Sequence, residues 1–170
     1  MAVHDPTPVQ RRTLSVLVEN RAGVLSHVVG LFSARGFNID SLAVGETEDP
    51  TASRITLVVR GDEKTLEQIK KQLNKLIDVI KIQDLTDLEF VDRELMLVKL
   101  KATTKVKEAL KTLLTGYRMS VIEENDQVVI VECTETRDRT KKLFETLKEM
   151  GIMEIAQTGA VALSNKAPKD

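Results

Sequence analysis

The chain has 170 residues, of which 42% are hydrophobic, 30% charged and only 3% aromatic, with no tryptophan. Its 25 lysines and arginines nearly balance 26 aspartates and glutamates, so no net field draws it to nucleic acid or an anionic membrane. One cysteine and two histidines exclude an internal disulfide, and leave almost no material for zinc ligand sets or Cys/His and Ser/His nucleophile systems.

Residues 1–11 carry His4, Asp5, Pro6 and Pro8 but no apolar segment, and read as a flexible N-terminal arm rather than a signal peptide. Arg12 to Glu19 then alternates Leu14, Val16 and Val18, the period of a strand with one buried face. Asn20-Arg21-Ala22-Gly23 breaks the period. Val24, Leu25, Val28, Leu31 and Phe32 follow at helical spacing, with Gly36 as a left-handed stop. The uncharged run from Ala22 to Ala34 falls short of the roughly 18 apolar residues a membrane span needs.

Phe37 to Glu46 reads as a second strand with a bulge near Ser41, and Glu48-Asp49-Pro50 as a turn. Ser53 to Arg60 is a third strand, and Asp62 caps a helix whose stripe is Leu66, Ile69, Leu73, Leu76 and Ile77. Val79 to Leu85 closes the first half. After an acidic joint the series repeats: a strand at Glu94 to Lys101, then a helix carrying Val106, Leu110 and Leu113 capped by Thr103 or Thr104. Next come a hairpin around Glu124-Asn125-Asp126, a helix through Thr140, Leu143 and Leu147 stopped by Gly151, and one or two strands over Ile152 to Leu163.

Both halves thus read β-α-β-β-α-β, giving an α+β fold of two ferredoxin-like domains in tandem. The boundaries are 12–87 and 93–164, joined by a linker at 88–92 and followed by a disordered tail at 165–170. Free edge strands invite pairing, so a homodimer or association with another protein is expected.

The loop Glu19-Asn20-Arg21-Ala22-Gly23-Val24-Leu25 is the most informative local feature. Backbone N–H groups at Gly23, Val24 and Leu25, with the positive end of the helix dipole, suit a carboxylate, and the Asn20 side-chain oxygen suits an ammonium group. Together they match a free amino acid. The plainer alternative is conformational: Asn20 makes a turn, Gly23 opens a helix, and Asn38 tolerates the turn after Gly36. His27 lies beside the buried stripe and reads as a surface or interface residue, Cys133 as a small core residue, and paired acids such as Asp62-Glu63 as solvated caps.

Arg12 to Leu42, which contains that loop and Gly36-Phe37-Asn38-Ile39, resembles the ACT domain of acetolactate synthase small subunits. Thr51 to Thr56, Arg93 to Leu100 and Thr158 to Ser164 extend the resemblance over residues 12 to 164. Within it the segment 114–120 departs from the family pattern, with Thr115 and Ser120 where an Arg and an Asp are usual. The resemblance implies a non-catalytic cytoplasmic subunit that activates a large catalytic partner and confers feedback inhibition by valine or another branched-chain amino acid. It places thiamine diphosphate, magnesium and FAD in that partner. The effector site it implies takes Asn20, Gly23, Val24 and Leu25 from one chain and Asn38 with Ile39 from a second copy. Two other functions fit the same fold: a tandem amino-acid sensor for another partner, such as a transcriptional system, and an acyl-phosphate hydrolase using Arg21 and Asn38.

Overall fold

The structure, a computed structural model, describes residues 10–166. The expected N-terminal arm and C-terminal tail therefore lie largely outside the described residues. Where they enter it, the chain is ordered: Gln10 and Arg11 pair with Gly61 and Arg60 as the first residues of a strand, and the Asn165 amide donates to Glu89 O at 3.2 Å. Among the described residues, those up to Val91 and from Ala162 onward form one compact unit, and Asp92–Val161 a second.

The first unit contains β1 (Gln10–Glu19), α1 (Val24–Ala34), β2 (Ile39–Glu46), β3 (Ala52–Gly61), α2 (Glu63–Leu73) and β4 (Val79–Asp84). Its sheet order is β2-β3-β1-β4, with every neighbouring pair antiparallel. Alternation in β1 and β3 sends Leu14, Val16, Ile55, Leu57 and Val59 to one face, where Val28, Leu31 and Phe32 of α1 and Leu66, Ile69 and Leu73 of α2 cover them. The register shift between Ile39 and Ser41 supplies the expected bulge. It lets the Asp40 carboxylate receive Arg60 Nε at 2.7 Å.

The stripe of α2 is shorter than the spacing predicts. The helix ends at Leu73 with Asn74 as its C-cap, and the chain then turns, so Leu76 is half-buried and Ile77 is 87% exposed. The Leu-Ile pair keeps the helical spacing in sequence only.

The second unit runs β5 (Phe90–Lys101, from Asp92 onward), α3 (Thr104–Gly116), β6 (Met119–Glu124), β7 (Val128–Glu135), α4 (Arg137–Glu149) and β8 (Ile152–Gln157), with sheet order β6-β7-β5-β8. Residues Phe90 to Asp92, expected in the linker, begin β5, because β9 (Val161–Ser164) pairs with that strand. Met96, Val98, Leu100, Val129, Val131 and Cys133 pack beneath Val106, Leu110, Leu143 and Leu147. Thr103 is the cap: its Oγ1 accepts the Val106 amide at 3.3 Å. Thr103→Ala should therefore lower stability by about 1 kcal/mol, read as a drop in thermal midpoint by circular dichroism.

Candidate functional site

The turn between β1 and α1 is four residues long and ends at Gly23, whose φ of 89° is left-handed. Only glycine takes this conformation without cost, and a Cβ built there meets nothing within 4 Å, so the space above the turn is open. The first α-helical bond runs from the His27 amide to Gly23 O at 3.0 Å. The Val24 amide, expected as a free donor, turns back to Arg21 O at 3.4 Å, whereas the amides of Leu25 and Ser26 have no acceptor among the described residues, and no acidic side chain lies in the first turn. By contrast, α2 is capped by Asp62 and α3 by Thr103, and the Arg137 amide opening α4 reaches Asp92 Oδ2. The N-terminus of α1 has no side-chain cap.

Asn20 stands at the rim of this turn. Its Nδ2 donates to Glu46 Oε1 at 3.1 Å and to Pro50 O at 3.0 Å, which fixes the amide and leaves Oδ1 as the open acceptor. This is the orientation an ammonium group requires. Val24 is buried in the core, whereas Leu25 is 38% exposed beside the free amides.

Asn38 and Ile39 lie elsewhere. Asn38 Nδ2 donates to Asp40 Oδ1 at 2.9 Å, and Ile39 is half-buried at the start of β2, level with Val59. Val59 is level with Arg12, while Asn20 follows Glu19, seven strand positions further along β1. At about 3.3 Å per position that is a separation of roughly 23 Å. One protomer does not bring the two groups of predicted residues together.

Burial pushes the Cys133 thiol up to about 11, assisted by the charge of Glu135, so it is protonated at neutral pH. Native protein should resist alkylation at Cys133 and react fully once unfolded, as mass spectrometry would record. Among the described residues no group of three or more His, Cys, Asp or Glu is arranged to hold a metal ion, and no helix is long and apolar enough to cross a membrane. A groove of about 640 Å³ in the second unit is lined mainly by Ala102, Val106, Val128, Met150 and Met153, none of them a sequence candidate. Arg21, the cation a hydrolase would need, is engaged by Asp78 and by Glu19 Oε2 at 3.1 Å.

Asp78 was not legible in the sequence. It follows exposed Ile77 in the turn between α2 and β4, and its side chain is only 5% exposed. Arg21 Nε donates to Oδ1 at 3.0 Å, a second Arg21 nitrogen reaches the same oxygen, and His27 Nδ1 lies 3.0 Å from Oδ2. A carboxylate accepts only, so Nδ1 carries the proton. Hydrogen bonds from His27 and then Arg21 hold the Asp78 carboxyl below the usual carboxylate range. A depressed carboxyl stabilises the fold above its unfolded value and loses that contribution as pH falls through the folded one. Acid unfolding should therefore steepen below about pH 4, and Asp78→Asn should flatten part of that slope in urea titrations.

These features define a class: two ferredoxin-like units in tandem, in the manner of ACT domains. The family described as AHAS small subunit-like ACT domain matches residues 14–81, and that described as small subunit of acetolactate synthase matches residues 93–166. The acetolactate synthase isozyme 3 small subunit of Salmonella typhimurium is 44% identical over 155 residues, 91% of this chain and 95% of that one. The acetolactate synthase small subunit of Mycobacterium bovis is 48% identical over 152 residues, 89% and 90% of the respective chains. A crystal structure of the acetolactate synthase small subunit from Thermotoga maritima superposes with a TM-score of 0.84 at 36% identity, covering 94% of this chain and 99% of that one. The chain belongs to the acetolactate synthase small subunit family, the non-catalytic subunits of a thiamine-dependent enzyme.

Proposed function

We propose that this protein activates the large catalytic subunit of acetolactate synthase and makes it subject to feedback inhibition by valine or another branched-chain amino acid. The observation that carries the reading is the placement of Asn20–Leu25 and Asn38–Ile39 at opposite ends of a sheet whose outer strand is β2. A two-fold axis beside β2 would pair two copies antiparallel. The end of β2 in one copy, with the Asn20 loop beside Glu46, would then face the start of β2 in the other. Each of two equivalent sites would receive a carboxylate cradle from one chain and Asn38 with Ile39 from its partner. Val44, half exposed on β2, supplies apolar surface for that seam.

In this scheme the zwitterion's carboxylate meets the Leu25 and Ser26 amides, its ammonium meets Asn20 Oδ1, and its side chain lies against Leu25 and the partner's Ile39. Occupancy of sites shared between two chains favours one arrangement of the dimer, and the large subunit is activated less in that arrangement. A coupling free energy of about 1 to 3 kcal/mol changes affinity 5- to 150-fold, sufficient for feedback. Thiamine diphosphate, magnesium and FAD reside, on this reading, in the large subunit, and the assembly works in the cytoplasm.

The decisive experiment mixes the protein with a cognate large subunit and follows acetolactate formation with and without valine, leucine and isoleucine. Stimulation by the small subunit, reversed by one of the three, is the expected result. An unchanged rate would overturn the reading. Calorimetry on the protein alone should show saturable binding at one ligand per chain.

A further inference from the structure

We infer that Asp78 is a positioning residue for the effector loop, tying the loop to the first turn of α1 through Arg21 and His27. The inference rests on the proposed effector site and adds a residue to it.

The loop from Asn20 to Gly23 has no side-chain cap, and its left-handed glycine gives it no stiffness of its own. Two tethers hold it instead. On one side Asn20 is bound to Glu46 and Pro50, at the hairpin between β2 and β3. On the other, Arg21 reaches back to Asp78, whose own backbone oxygen accepts the Glu19 amide at 2.9 Å where β1 ends. The remaining carboxylate oxygen of Asp78 takes His27, and the His27 amide is the one that closes the first turn of α1 on Gly23. One buried carboxylate thus fixes, through separate oxygens, both the residue before the open amides and the residue after them.

The test uses the intact protein and valine, by calorimetry at one pH. Asp78→Asn, which keeps the side-chain volume, should weaken binding about tenfold. His27→Ala, which removes the donor, should weaken it as well, and His27→Gln, which restores a donor for Asp78, should recover most of the loss, a rescue that loss of stability alone does not produce. Wild-type affinity in Asp78→Asn or in His27→Ala overturns the inference while leaving the effector site intact. Absence of valine binding in the wild type instead removes the effector site, and the inference with it. If Asp78→Asn is unfolded by circular dichroism, the two His27 variants decide alone.

Discussion

Gly23→Asp is expected to weaken valine binding at least about a hundredfold, a loss near 2.7 kcal/mol, while the protein stays folded. The argument has a steric part and an electrostatic part. Gly23 sits at φ 89°, where any side chain is strained, although aspartate tolerates left-handed backbone better than most residues. Nothing lies within 4 Å of the new Cβ, so the carboxylate projects into open space above the loop without disturbing the core. There it takes the amides of Leu25 and Ser26, which otherwise have no acceptor, and repels the ligand's own carboxylate. Gly23→Ala separates the two parts. It carries the backbone strain, about 1 to 2 kcal/mol, without the charge, and should lower the thermal midpoint while costing much less affinity. Equal valine affinities for the aspartate and alanine variants would show that the carboxylate does not bind at these amides. In the reconstituted enzyme, acetolactate formation by the aspartate variant should persist at valine concentrations that silence the wild type.

The order of elements was legible in the sequence because each depends on local chemistry. Alternation over Leu14, Val16 and Val18, the Asp62 and Thr103 caps, and the left-handed glycines at 36 and 151 all act within a few residues of themselves. The bulge near Ser41 showed in the imperfect alternation of β2. What failed depended on tertiary context. Ile77 keeps the spacing of the α2 stripe, but the chain has already turned at Asn74, so the same periodicity ends in solvent. Phe90, expected in the linker, falls inside a strand because β9 pairs with β5, a contact some seventy residues apart that neither segment signals alone. Asp78 is the sharper case for function. An aspartate between two branched apolar residues carries no motif, and its partners Arg21 and His27 come from other elements that only the fold brings to it. The distance between Asn20 and Asn38 was equally invisible. Their pairing was a family expectation, and only the register across β1, β3 and β2 places them at opposite ends of the sheet.

Phe32→Ala is the substitution expected to cost most stability, about 3 to 5 kcal/mol, against a total of only about 5 to 15 for a typical domain. Phe32 is 1% exposed, inside the cluster formed by Leu14, Val28, Leu57 and Ile69. Its ring meets that of Phe37 edge-on, with centroids 6.1 Å apart and planes at 75°. That contact adds about 0.5 to 1.5 kcal/mol beyond burial, and truncation leaves a cavity inside the cluster. Ile77→Ala is the matching control, because the sequence stripe ranks the two residues alike. At 87% exposure its loss should stay within about 0.5 kcal/mol. Urea unfolding followed by amide protection in β1 and β3 should separate the pair clearly, and similar midpoints would refute the packing described for α1. The consequence reaches the site at both ends of that helix. Val24 and Leu25 open α1, and the Phe32–Phe37 contact holds the segment leading into Asn38 and Ile39. On the proposed arrangement, loosening one ring therefore slackens both the loop a chain gives its own site and the segment it gives its partner's. Phe32→Ala should weaken valine binding even where enough folded protein remains to measure it.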